Sequence, residues 1–153
     1  MLGARNVFRF RAAALLLLAA VAVSTTASTE PSVEELKARL SSASVGDRPH
    51  LCIHIAQKQL AVADKLYAAG EVEKAQAALS DVVAYSELAR DYAIQSHKYQ
   101  KQAEIATRTM TRKLTELMHS LGQNDQAPVR DAINHLQRVR DDLLAAMFPK
   151  GAK

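Results

Sequence analysis

Residues 71–121 read EVEKAQAALSDVVAYSELARDYAIQSHKYQKQAEIATRTMTRKLTELMHSL. The segment contains neither Gly nor Pro, so nothing in it supplies a helix stop. Positions 75, 79, 82, 85, 89, 92, 96, 99, 103, 106 and 110 carry Ala, Leu, Val, Tyr, Ala, Tyr, Ser, Tyr, Ala, Ala and Met. The steps alternate between four and three, which is a heptad seam. Leu114, Leu117 and Leu121 continue it, and Gly122 follows as a C-terminal stop. The spacing predicts one helix over 71–121, about 75 Å long at 1.5 Å per residue. Its most polar stretch is Gln95–Ser96–His97, where a bend would fall. Sharp kinks usually need Pro, Gly or an inserted group, so the continuous helix is the expectation.

Three shorter helices surround this one. Ser32 and Glu35 form a capping box after Pro31, opening a helix over about 32–43 with an apolar stripe at Val33, Leu36 and Leu40. A second is expected over about 48–69. It starts after Asp47 with Pro49 in its first turn, where a missing N–H costs nothing, and Gly70 is its left-handed stop. A turn at Gln123–Ala127 leads to a fourth helix over about 128–148, from Pro128, with Val129, Ala132, Ile133, Leu136, Val139, Leu143, Leu144 and Met147 on one face. The second and fourth would each be about 32 Å long, half the length of the third. The short connections force antiparallel packing. The fold class is therefore all-α, with a hairpin folded back at each end of a long helix. If that helix bends, the same segments make a four-helix bundle.

The segment Leu66–Ala75 (LYAAGEVEKA) resembles the middle of a tetratricopeptide repeat. The likeness covers one hairpin, and no second copy follows at the required spacing; a solenoid needs several. The segment reads as an ordinary helical hairpin.

Residues 1–27 have the layout of a secretory signal peptide: Arg5, Arg9 and Arg11, then the apolar run Ala12–Val23, then small residues with cleavage expected near Ala27. A dozen apolar residues are too few to span a membrane, which takes about 20. The expectation is an exported protein, periplasmic or secreted, with residues 28–153 as a single domain. Without the three N-terminal arginines the remainder carries 17 basic and 16 acidic residues. That near-neutrality removes the main compositional argument for nucleic-acid binding. Cys52 is the only cysteine, so no internal disulfide is available. It is either buried or paired with another chain.

Several residues are candidates for chemistry. His50 and His54 share a helix face at i,i+4 spacing, as metal ligands require, but two ligands do not close a site. His97, His119 and His135 are the remaining imidazoles. Glu116 and His119 have the spacing of a ferritin-like ligand pair, with no second copy. No cofactor is expected. Tyr85, Tyr92 and Tyr99 recur every seven residues, either as a docking ladder or as seam residues with wet hydroxyls. Lys98, Lys101, Arg108, Arg112 and Lys113 make the second half of the long helix basic, with Glu104 the lone acid from 98 to 113. That face suits solvent or weak contact with an anionic surface. No G-x-S-x-G, Walker loop, H-E-x-x-H or C-x-x-C occurs. These readings together point to a non-catalytic interaction module of the cell envelope. It would self-associate or bind another envelope protein through its seam, with metal or small-ligand binding at His50 and His54 as the alternative.

Overall fold

The computed structural model describes residues 30–150, which form five helices with no strand among them. They are α1 (Val33–Ser42), α2 (Arg48–Ala68), α3 (Val72–Ser96), α4 (Gln100–Ser120) and α5 (Gln123–Met147). The expected signal segment 1–27 lies outside the described residues.

Local chemistry accounts for most boundaries. At α1 both halves of the capping box form: Glu35 N–H donates to Ser32 Oγ at 3.2 Å, and Ser32 N–H to Glu35 Oε2 at 3.0 Å. α2 ends in a Schellman motif. Gly70 takes φ +75°, its N–H reaches the Tyr67 carbonyl at 3.0 Å, and Glu71 N–H reaches that of Leu66 at 2.9 Å. The three-residue turn sends α3 back along α2.

The continuous helix over 71–121 is not what forms. It breaks at residues 97–99, where His97 (φ 55°) and Tyr99 (φ 61°) both adopt the left-handed conformation. The Ser96 hydroxyl donates to the Tyr92 carbonyl at 2.7 Å and accepts the Lys98 N–H at 3.3 Å. A serine bonding back to the preceding turn bends a helix, and here it also takes a backbone N–H that the helix has lost. Each non-glycine left-handed residue costs about 1–2 kcal/mol. Burying one Leu or Val contributes about 1.5–3 kcal/mol, and Val82, Leu114, Val129, Leu136, Val139 and Leu143 are at most 1% exposed. Bundle closure therefore outweighs the two strained residues.

A second correction concerns α5. It begins at Gln123, directly after Gly122, rather than near Pro128. Residues 123–127 are polar or small and carry no apolar period, yet they are helical. Asp125 N–H bonds the Gly122 carbonyl at 3.0 Å, and Gln126 Nε2 bonds that of Leu121 at 3.0 Å. Pro128 sits inside the helix, early enough to cost one backbone bond.

Four of the helices form an up-down-up-down bundle whose order around the axis is α2, α3, α5, α4. The core has two apolar layers. Next to the Gly70 and Gly122 turns it is built on Leu60, Leu79, Met110, Leu114 and Leu136. Next to the 97–99 corner it is built on Cys52, Ile53, Ala89, Ala93, Ala103, Ala106 and Leu143. Buried Ser86 and Thr107 satisfy their hydroxyls on carbonyls one turn back, Val82 and Ala103, both at 2.7 Å. α1 packs on α2 and is tied to α3 by Lys37, whose ammonium bonds Asp81 at 3.0 Å. Asp81 also accepts from Gln59 of α2 at 2.7 Å, so one carboxylate joins three helices.

Candidate functional site

α4 has two unlike sides. Ala103, Ala106, Met110, Leu114 and Leu117 face the core. One hundred degrees per residue then places Lys101, Ile105, Arg108 and Arg112 together on the opposite side, and all four are exposed. Ile105 is 41% exposed, one of few large apolar side chains left in solvent. Glu104, the acid expected to dilute this face, is turned inward. It is 8% exposed and accepts from Arg140 Nε of α5 at 2.8 Å, with Arg108 Nε 4.0 Å from the same oxygen. Arg112 lies 4.0 Å from Glu116, but both side chains are over 70% exposed, so the pair contributes little. Lys98 is exposed at the corner.

Lys113 departs from this face and turns toward α2. With Gln57, Leu60, Ala61, Asp64, Glu116, Leu117 and Ser120 it lines an open groove of about 450 Å³ between α2 and α4. Neither the groove nor the Asp81 junction was anticipated from sequence. Both are products of which helices become neighbours, and periodicity along one helix does not encode that.

The imidazoles do not converge. His50 and His54 lie side by side on α2, with ring centroids 4.4 Å apart, and the Tyr99 ring stands 5.5 Å from His50. His97 is exposed at the corner and His119 near the end of α4. His135 meets Glu87 of α3 at 3.1 Å. Glu116 and His119 are both exposed on α4. Among the described residues no group of three or more His, Cys, Asp or Glu could hold a metal ion. Cys52, between the two histidines in sequence, is fully buried, and burial pushes its thiol up to about 12. It is a packing residue rather than a nucleophile or a ligand.

The three tyrosines do not form one ladder, because the break separates Tyr99 from the other two. Tyr85 and Tyr92 are half-buried on α3 beside α1 and α2. The Lys37 ammonium of α1 lies 5.3 Å above the Tyr85 ring. The Arg48 guanidinium lies 5.2 Å from the Tyr92 ring and donates to its hydroxyl at 3.3 Å. Tyr99 packs at the corner, in the left-handed conformation. The seam residues on either side of them, Ala75, Leu79, Val82, Ala89, Ala103, Ala106 and Met110, are all buried within a single copy. The seam is core, so it is not the open stripe that the long-helix reading required.

No protein-family model, curated protein or solved structure matches this chain. Among the described residues no helix is long and apolar enough to cross a membrane.

Proposed function

We propose that this chain is an exported, non-catalytic helical module that works at the cell envelope by docking the outward face of α4 on an anionic surface. One observation carries the reading: Lys101, Arg108 and Arg112 line one exposed face while Glu104, the acid in their midst, is withdrawn into the α4–α5 interface. The Glu104 charge is shared between Arg140 and Arg108, so it offsets the face less than a free surface acid would, and Ile105 gives the face an apolar contact for the boundary of a headgroup layer. Each Lys or Arg near an anionic leaflet contributes about 1 kcal/mol, screened by salt. Export rests on the three-part layout of residues 1–27. The surface envisaged is phospholipid headgroups, and a protein partner would meet the same cations.

Co-sedimentation of the chain from residue 28 on, the form left after the proposed cleavage, with vesicles of phosphatidylglycerol and phosphatidylcholine, against phosphatidylcholine alone, tests the docking. The Lys101→Ala/Arg108→Ala/Arg112→Ala variant should lose roughly two orders of magnitude in affinity for the anionic vesicles. Sedimentation equal to the parent's would end the proposal. N-terminal sequencing of the protein recovered from an envelope fraction tests export: a start near residue 28 is expected, and an intact Met1 refutes cleavage.

A second reading, metal or small-ligand binding at His50 and His54, draws on the closeness of their rings. Such a pair would supply two ligands and leave the remaining positions to water, giving a modest chelate. Calorimetry with zinc and copper decides it, with heat that disappears in His50→Ala as the supporting result.

A further inference from the structure

We propose that the chain self-associates by exchanging hairpins: the His97–Tyr99 corner straightens, and the α4–α5 hairpin of one copy packs on the α2–α3 hairpin of a second. The corner is the only connection between the two hairpins. It is held by two non-glycine residues in the left-handed conformation, His97 at φ 55° and Tyr99 at φ 61°. Around it, residues 71–121 contain no Gly or Pro and keep the heptad spacing unbroken. The relaxed form of this stretch is therefore a single helix about 73 Å long from Val72 to Ser120, with the left-handed strain gone.

Opening the corner does not disturb either hairpin. α2 packs on α3, and α4 on α5, more extensively than any helix of one hairpin packs on a helix of the other. Each hairpin has its own closed turn, the Schellman motif at Gly70 and the two-residue link Leu121, Gly122. Opening does uncover the surfaces between hairpins, where Glu87 meets His135 at 3.1 Å and Arg90 meets Asp142 at 3.0 Å, with Leu79 and Val82 against Leu114, Val129 and Leu136. A second opened copy offers the same surfaces in the same geometry, so every contact re-forms between chains. What changes is confined to the two corners of the dimer, plus the entropy of association. Hinges of this kind are where domain swapping starts.

Two contacts oppose opening. The Ser96 hydroxyl caps the Lys98 N–H in the bent form, and Tyr99 is set against His50. They keep the monomer dominant when dilute, and concentration or transient unfolding shifts the balance. The partner is a second copy of this chain, and the interface is the one already present inside the monomer. The seam contributes to self-association after all, but only when opened.

The chain from residue 28 on is refolded from denaturant at a series of concentrations and sized by chromatography with light scattering. A dimer fraction that grows with concentration and persists on dilution is expected. His97→Ala favours the straight helix, and His97→Gly favours the left-handed corner. Counted over two hinges, each should move the monomer–dimer constant by about tenfold, in opposite directions. His97 is exposed, so neither change threatens the fold. A disulfide engineered as Glu87→Cys/His135→Cys then reads the connectivity. It should be intrachain in the monomer peak and interchain in the dimer peak. An intrachain bond in the dimer would mean two closed monomers side by side and would overturn the proposal. A chain that stays monomeric throughout, His97→Ala included, would overturn it equally.

Discussion

Arg140 Nε donates to Glu104 Oε1 at 2.8 Å and so holds a carboxylate of only 8% exposure against α5. Removing one partner of a buried pair leaves an uncompensated charge, which costs 3–5 kcal/mol where both groups are fully buried. Here Arg140 is 40% exposed, and Arg108 stands 4.0 Å from the same carboxylate. Arg140→Ala is therefore expected to lower stability by about 2 kcal/mol in urea unfolding. Glu104→Leu/Arg140→Leu should recover most of it, because the desolvated charge is gone.

Asp81 accepts from Lys37 and Gln59, and its neighbourhood raises the Lys37 pKa through that hydrogen bond. Lys37 and Asp81 are each 37% exposed, so the ion pair is partly screened. Asp81→Ala should cost about 1 kcal/mol globally. Its sharper effect is local: amides of α1 should gain more in hydrogen-exchange rate than those of α4 and α5, whose rise is limited to the roughly fivefold set by the global loss. Uniform acceleration across all five helices would show that α1 is not separately anchored.

The sequence read well wherever one residue type dictates one backbone state. The Ser32–Glu35 box, Pro49 in the first turn of α2 and left-handed Gly70 all stand where expected. So does the all-helical class. The break at 97–99 was not legible as the favoured form, because no residue there demands it. His97 and Tyr99 are bent by the closure of helices that meet only in three dimensions, and the local pattern argued for a straight run. The early start of α5 was hidden for a different reason: Gln123–Ala127 has no large apolar residue to mark a period, and Pro128 reads as a first-turn residue. On α4 the basic positions were visible, but the inward turn of Glu104 depended on Arg140, 36 residues away.

Burial pushes the Cys52 thiol from its ordinary 9 up to about 12. The folded chain thus keeps a proton that the unfolded chain releases. Below pH 9 both states are protonated and this group leaves stability unchanged with pH. Between pH 9 and 12 the unfolded state loses the proton first, and stability falls by up to about 1.4 kcal/mol per unit. Cys52→Ala should have a shallower decline over that window than the parent. At neutral pH the thiol should react with an aromatic disulfide reagent only once the chain is unfolded; rapid labelling of the native chain would contradict its burial.

Tyr67 places its hydroxyl in the core with no hydrogen-bond partner among the described residues. Burial raises its pKa, and the Asp125 charge adds to the effect. Tyr67→Phe removes the orphan oxygen and keeps the ring, so it should raise stability by up to about 1 kcal/mol in the same urea assay. A loss of that size instead would reveal an ordered water satisfying the hydroxyl.

The two layers of the interior differ in grain. Beside the corner the buried layer includes four alanines from α3 and α4, Ala89, Ala93, Ala103 and Ala106, whereas beside the Gly70 turn the same two helices contribute Leu79, Met110, Leu114 and Leu117. Enlargement such as Ala93→Leu would pry the first apart, costing about 1–3 kcal/mol or more. Truncation such as Leu114→Ala would hollow the second by about 2–5 kcal/mol. Sequence drift in this protein is thus constrained in opposite senses at opposite ends: against growth near the strained bend, and against shrinkage at the far turn.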